Sequence, residues 1–325
     1  MQSQGQPPRE VKNYEFTSSG QDNSTVIQKS RRSHCAFLLA AFADSASGCP
    51  PPPGGYPNFT TAAGDNALQA LTLGVGNTAI GTFSLFSVST GGFNTAVGAG
   101  ALDRNTADSN TATGAAALLF NTTGTENTAN GTAALEFNDT GSNNTATGAF
   151  ALFSNTTGHD NTANGFNALL NNAEASENTA DGSNALANNT DGEGNTSVGF
   201  NALLGNTTAA QNTGVGSSAL AGNSTGTDNT AIGFDALSAN TNAQNTAVGS
   251  NALASNTSGF DNTALGFRAL FANLGARRNN AVGSVALSSH TTGNFNNAIS
   301  GNALAVRQGD VGFRHLMGRP GRRAQ

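Results

Sequence analysis

The feature that most constrains the fold is an internal repeat. The pattern N-T-A-x-G-x-x-A-L-x-x-N-T-x-G-x-x recurs about fifteen times, with a period of 17 residues except for two copies of 16. Self-similarity at a fixed period predicts a repeat architecture in which each unit packs only on its neighbours. Numbered from position 1 of the pattern, the copies begin at Thr60, Asn77, Asn94, Asn110, Asn127, Asn144, Asn161, Asn178, Asn195, Asn212, Asn229, Asn245, Asn262, Asn279 and Asn296.

Each copy offers very little material for a core. Position 9 is always Leu, position 8 is Ala except for Ser84, and position 3 is Ala except for Ser197 and Gly214. One Leu and two small residues cannot offset the cost of ordering a copy, which is about 1–2 kcal/mol per residue. The copies must therefore share their buried faces. We predict a β-solenoid (β-roll) of about 15 coils over residues 60–306, with one short strand per coil.

The residue at position 4 determines which way the strand faces. In five successive copies it is polar: Thr113, Asn130, Thr147, Asn164 and Asp181. Because these residues cannot all be buried, the small residue at position 3 must point inward, and alternation along a strand then turns positions 2 and 4 outward. Gly at position 5 is expected to end the strand with a positive φ.

Positions 6 to 11 leave two alternatives open. From the seventh copy, position 6 alternates between Phe and Ser, and position 10 partly follows in size. The spacing of Phe200, Leu203 and Leu204 favours a single helical turn, ended by the Asn at position 12, which tolerates a left-handed conformation. The alternative is an all-β coil in which positions 6 and 10 meet across a corner.

The Asn residues at positions 1 and 12 are predicted to stack between coils, with their amides donating and accepting along the solenoid axis. The Thr at position 13 and the Gly at position 15 are predicted to form an outer turn. Both 16-residue copies lack a residue in this region, within 105–109 and 240–244. Turns accept deletions more readily than cores do, which supports this placement.

The ends of the chain differ from the array. Residues 1–33 are polar, and 34–48 are apolar after a K-S-R-R flank and contain A-F-A, the grammar of a secretory signal peptide. Residues 49–59 are Pro-rich and predict an extended linker. Residues 307–325 are predicted to be a basic, disordered tail. These features lead us to expect a secreted or cell-surface protein.

Composition argues against several functional classes. Between residues 58 and 267 there are fifteen acidic residues and one basic residue, so nucleic-acid binding is not expected. No apolar run approaches the length of a transmembrane helix. The two cysteines, Cys35 and Cys49, form no zinc pattern, and the four His residues are scattered. We predict no catalytic, metal-binding or cofactor-binding residues, and no enzyme.

Some segments are similar to known proteins. The run C-P-P-P-P-G-G-Y-P from Cys49, the coil N-T-A-N-G-F-N-A-L-L from Asn161 and N-T-T-G from Asn155 resemble bacterial tail-fibre-domain proteins. More distantly, the coils resemble the head repeats of trimeric autotransporter adhesins. The resemblance implies secreted or surface fibres, often trimeric, with an intramolecular chaperone domain after the repeats. The Arg-rich residues 307–325 depart from that last feature.

The sequence supports one main functional hypothesis and two alternatives. We expect a non-enzymatic structural or adhesive fibre protein with a cell-surface glycan or protein as its receptor. The first alternative is binding to ice or another crystal surface by a ladder of the Thr residues at position 2, which occur in thirteen copies. The second is a segment of a phage or virion fibre.

A row of apolar residues predicts self-association. Position 4, polar in the middle copies, is apolar in the last seven although it is expected to face outward. Contiguous exposed apolar surface marks interfaces, so we expect a homo-oligomer, a trimer if the resemblance holds, formed through this row. Its members are Val198, Val215, Ile232, Val248, Leu265, Val282 and Ile299.

Overall fold

The computed structural model describes residues 57–304 and 316–317 and shows a parallel β-solenoid. A 3-10 turn at Pro57–Phe59 precedes the first coil. Each coil then contributes one three-residue strand at positions 2 to 4. The strands are β1 (Thr61–Ala63), β2 (Thr78–Ile80), β3 (Thr95–Val97), β4 (Thr111–Thr113), β5 (Thr128–Asn130), β6 (Thr145–Thr147), β7 (Thr162–Asn164), β8 (Thr179–Asp181), β9 (Thr196–Val198), β10 (Thr213–Val215), β11 (Thr230–Ile232), β12 (Thr246–Val248), β13 (Thr263–Leu265), β14 (Asn280–Val282), β15 (Asn297–Ile299) and β16 (Leu316–Met317).

The sheet confirms the repeat and its register. The strands lie in sequence order, every pairing is parallel, and equal repeat positions pair, as Thr145 does with Thr162. The two 16-residue copies keep this register because the missing residue lies in the outer turn. In a full coil, the Asn155 side chain donates to the carbonyl three residues on. In the short coils, Asn105 and Asn240 reach the carbonyl two residues on.

The core is the predicted column of Leu and Ala. From β2 to β15, the residue at position 3 is fully buried between outward-facing neighbours, and the Leu at position 9 provides the largest buried side chains. These Leu residues adopt a conformation that the sequence did not indicate, with φ of 50° at Leu203. A left-handed conformation costs about 1–2 kcal/mol for such a residue. Burial of the side chain, and a hydrogen bond of 2.9 Å from the Leu203 N–H to the Ala219 carbonyl of the next coil, oppose that cost.

The helical turn considered for positions 6 to 11 is wrong, and the coil contains only strand and turns. One tight turn is closed by the position 8 N–H donating to the position 5 carbonyl, at 3.3 Å from Ala202 to Gly199. A second joins positions 12 and 9, at 3.0 Å from Asn206 to Leu203. The residues at positions 7 and 9 both have positive φ. This reversal of handedness at alternate residues is incompatible with a helix.

A Gly at position 5 ends β1 to β14 as predicted, and Ser300 ends β15 with a similar positive φ. At Gly165 φ is 138°, and a Cβ would lie 2.6 Å from the carbonyl oxygen of Gly182 in the next coil. The residue is thus constrained both by conformation and by the close stacking of coils.

The last strand lies within the segment predicted to be a tail. Leu316 pairs with Ala298 and Met317 with Ile299, so these two residues extend the sheet by one strand. The predicted polar segment 1–33, the signal-like segment 34–48 and most of the linker 49–59 lie outside the described residues, as do Cys35 and Cys49.

Candidate interaction surface

Two buried ladders of Asn side chains link successive coils, at position 1 from the second coil to the fifteenth and at position 12 from the third coil to the thirteenth. At position 1, the Asn144 backbone N–H and Nδ2 both donate to Oδ1 of Asn127, at 3.0 and 3.2 Å. At position 12, Nδ2 of Asn155 donates to Oδ1 of Asn138 at 2.7 Å. The Gly158 carbonyl accepts from both Asn144 and Asn155, at 2.8 and 2.9 Å. The predicted stacking is confirmed, and the shared carbonyl ties the strand to the outer turn.

The outer sheet face consists of the rows at positions 2 and 4, which flank the buried position 3. Its Thr row runs in register through thirteen coils, and Thr145 and its neighbours in β4 to β8 are exposed. Position 4 also faces outward as predicted: Ile232 is 41% and Leu265 39% exposed. Seven apolar side chains therefore follow one another across β9 to β15, three of them exposed and the four Val side chains half-buried.

Charge divides the described coils into two regions. Residues 60–194, the acidic half, contain twelve Asp or Glu residues and one Arg, a net charge of −11. Residues 195–304, the neutral half, contain three acidic residues and three Arg, a net charge of zero. The seven successive apolar residues at position 4 all lie in the neutral half. Like charge opposes association of the acidic half with itself, whereas nothing comparable opposes it in the neutral half.

Phe side chains border the apolar row in alternate coils. At position 6, two residues after the row, Phe200, Phe234 and Phe267 are each slightly more than half exposed. The following residues are charged in two of these coils: Asp235 follows Phe234, and Arg268 follows Phe267. The Arg268 guanidinium stacks on the Phe271 ring of its own coil, 4.2 Å from the ring centroid.

The concave features of the surface are shallow grooves. One, of about 400 Å³, is bordered by Phe267, Phe271 and Val285. Another, of about 380 Å³, is polar and bordered by His159, Glu174 and other residues of the outer turns. In the polar groove, the Ser176 hydroxyl accepts a hydrogen bond from the backbone N–H of His159 at 3.1 Å, while the His159 ring contacts the neighbouring Asp160 carboxylate.

Two carboxyl groups of the described coils have a pKa raised by burial. Burial raises the pKa of Asp103, an effect that the neighbouring Arg104 opposes. Burial also raises the pKa of Glu136. The ion pairs join exposed or half-exposed groups, His159 with Asp160 at 2.8 Å and Arg278 with Asp261 at 3.3 Å.

The described residues lack both a cluster of metal-ligating side chains and a helix that could span a membrane. Residues 57–304 and 316–317 contain no group of three His, Cys, Asp or Glu residues placed to hold a metal ion. In the same part of the chain, no helix has the length and apolar character needed to cross a membrane.

Comparison with protein-family models and with curated proteins finds no match to this chain. The resemblance of the coils to tail-fibre and autotransporter repeats therefore stays an expectation based on their motifs.

Sequence reasoning found the outward rows but missed the charge arrangement within the neutral half. The segments I-G-F-D (232–235) and L-G-F-R (265–268) occupy the same repeat positions in the eleventh and thirteenth coils. They differ chiefly in the sign of the last residue. The signal in the sequence is the opposite charge at position 7 of these two otherwise similar segments, and aligning positions 4 to 7 of all coils reveals it.

Proposed function

We propose that this chain is a non-enzymatic structural protein that serves as a spacer or adhesive rod at a cell surface or in a secreted fibre. The observation that supports this most is the contrast between a uniform interior and a variable exterior. From coil to coil, the buried Leu, Ala and Asn residues scarcely change, whereas positions 4, 6 and 7 do. Such an array presents an extended surface, and its two main grooves in the described residues are open to solvent.

The length of the array suits a spacer. Fifteen coils at about 4.8 Å per coil extend roughly 70 Å. Length is set by the number of coils and can change by whole coils without altering the interior, because each coil contacts only its neighbours.

An experiment on cells tests the role and separates spacing from adhesion. The full-length gene would be expressed in its source cell, with surface exposure followed by protease treatment of intact cells and binding followed on arrays of cell-surface glycans and proteins. One variant would lack residues 127–211, five whole coils. If the chain is a spacer, it should be exposed at the cell surface, and shortening the array should impair its function. If the chain is an adhesin, binding should be lost only when the row of residues that binds is removed. Protection from protease in intact cells would contradict the proposal.

A second candidate, binding to ice or another crystal surface, is favoured by one specific feature. Thirteen Thr residues at position 2 form an in-register outward row, and in β4 and β6 position 4 adds a second Thr, at Thr113 and Thr147. Measurement of thermal hysteresis and of ice recrystallisation tests this directly. No effect at millimolar protein would remove the candidate.

A further inference from the structure

We propose that two copies of this chain associate antiparallel through the outer sheet face of the neutral half, about a twofold axis at the twelfth coil (residues 245–261). The inference deepens the proposed structural role by naming a partner, a second copy, and its arrangement. It starts from the apolar row at position 4, which faces outward through seven successive coils, with its Ile and Leu side chains exposed and its four Val side chains half-buried. Val248 is the middle member of that row.

Symmetry determines which residues meet. In a twofold interface, if residue i contacts residue j, then j contacts i. When two rods pack face to face and antiparallel, each repeat position lies opposite the same position, and coils equally far from the axis pair. With the axis at the twelfth coil, the eleventh coil of one copy faces the thirteenth of the other. Ile232 then lies opposite Leu265, and Phe234 opposite Phe267.

The same register pairs opposite charges. Asp235 and Arg268 occupy position 7 of the eleventh and thirteenth coils, so the symmetry brings Asp235 of each copy opposite Arg268 of the other. Asp235 is half-buried and Arg268 is exposed. In a parallel arrangement in register, each of these coils would instead face its own equivalent, and no such pairing would arise.

Long-range charge favours the same orientation. Parallel copies would place two acidic halves, each with a net charge of −11, side by side along eight coils. Antiparallel copies that overlap only in the neutral half direct the two acidic halves away from each other. Exposed charges farther apart than about 8 Å are largely screened at physiological salt, so the preference is expected to be strongest at low ionic strength.

The area available for contact limits how strongly two copies can associate. Seven coils at about 4.8 Å and positions 2 to 7 at no more than about 3.3 Å per residue give at most roughly 700 Å² per copy, of which the three strand residues supply about half. Specific stable interfaces typically bury about 800 Å² per partner. The dimer is therefore expected to be weak, with a dissociation constant in the micromolar range, and not an obligate assembly.

Charge reversal tests the pairing. Full-length protein carrying Asp235→Arg or Arg268→Asp would be compared with the double variant by sedimentation equilibrium. Each reversal breaks both symmetric ion pairs and creates like-charge contacts, so we expect dimerisation to weaken about tenfold in each single variant. The double variant restores opposite charges and should recover affinity. Both substitutions place at position 7 a residue type that already occurs there with φ of 54°.

A matched control and the contrary outcomes complete the test. Glu126→Arg, at an exposed position of the acidic half, removes the same charge as Asp235→Arg and should not weaken dimerisation. Three results would overturn the proposal: a monomeric parent at concentrations up to about 100 µM, well above the range expected for such an interface; no recovery in the double variant; or equal weakening by Glu126→Arg. Because the measurement uses purified protein, failure here is distinguishable from failure of the surface assay.

Discussion

The acidic and neutral halves share one interior and carry different exteriors. In both, a fully buried Leu at position 9 and two Asn ladders hold successive coils together. Outside, the acidic half shows polar residues at position 4 through five coils, whereas the neutral half shows only apolar ones. Folding is therefore specified by one set of positions, and the association that we propose would depend on another. Substitutions at matched sites in the two halves can separate these roles.

The largest expected effect comes from a charge in the core. Leu152→Asp in the acidic half and Leu203→Asp in the neutral half each place a carboxylate at a fully buried site without a partner. Lost packing and burial of the charge should each destabilise the array, by about 5 kcal/mol or more in total. Circular dichroism and urea titration should show comparable loss in both variants. Native-like stability in either would contradict a common interior.

Removing one rung of the Asn ladder should have a smaller effect. Asn155→Leu and Asn256→Leu each leave one N–H of the next Asn without its partner and remove a donor to Oδ1 of the previous one, although Asn240 keeps a second donor, Nδ2 of Asn245, at 3.3 Å. Each unsatisfied buried group costs about 1–3 kcal/mol. We expect the free energy of unfolding to fall by about 2–4 kcal/mol in both, measured by denaturant titration. A loss confined to one half would mean that the ladders are not equivalent.

How far the sequence predicts this fold depends on the kind of interaction. Side-chain chemistry reveals strand facing, the Leu column and the Asn ladders, because burial demands apolar or fully paired groups. Backbone conformation was harder to predict from the sequence. Apart from Gly, little at positions 7, 9 and 17 signals positive φ, and residues as different as Phe150, Arg268 and Leu203 adopt it. The helical spacing of Phe200, Leu203 and Leu204 was a coincidence within two successive turns.

The outward rows of the outer sheet face were predictable from the sequence, but the charge pair at position 7 was not. Outward rows follow from strand alternation, so the apolar row at position 4 was found. The relation between Asp235 and Arg268 depends on which coils lie at equal distances from an axis between two molecules. A single sequence does not display that symmetry until the coils are placed in register.

The apolar row should affect association and leave folding nearly unchanged. In the full chain, Val215→Thr, Ile232→Thr and Val248→Thr together replace the middle of the row with a residue that already stands there in the acidic half, as Thr113 and Thr147. Substitutions at such surface sites usually change stability by less than about 0.5 kcal/mol each. Light scattering should show loss of the dimer while the denaturation midpoint stays close to the parent value. A dimer that persists would place the interface elsewhere.

The smallest expected effect lies in the outer turns. Thr156→Ala and Thr257→Ala each remove one hydrogen bond to a carbonyl of the next coil, 2.9 Å in both cases. A typical hydrogen bond contributes about 0.5–1.5 kcal/mol, and partial exposure puts these at the lower end. Thermal denaturation should show equal, minor losses in the two halves, with dimerisation unaffected. A weaker dimer in the Thr257 variant alone would extend the interface to the turns.

Distances between equivalent sites in the two copies test the antiparallel arrangement most directly. Single spin labels would be placed at Thr157→Cys, Thr208→Cys or Ser258→Cys, exposed position 14 sites in the sixth, ninth and twelfth coils, with Cys35 and Cys49 changed to Ser. Pulsed dipolar spectroscopy then measures the separation of identical labels across the dimer. An axis at the twelfth coil predicts the shortest distance at Ser258, with axial offsets of about 29 Å at Thr208 and about 58 Å at Thr157. Equal distances at all three sites would show parallel copies in register and contradict the account.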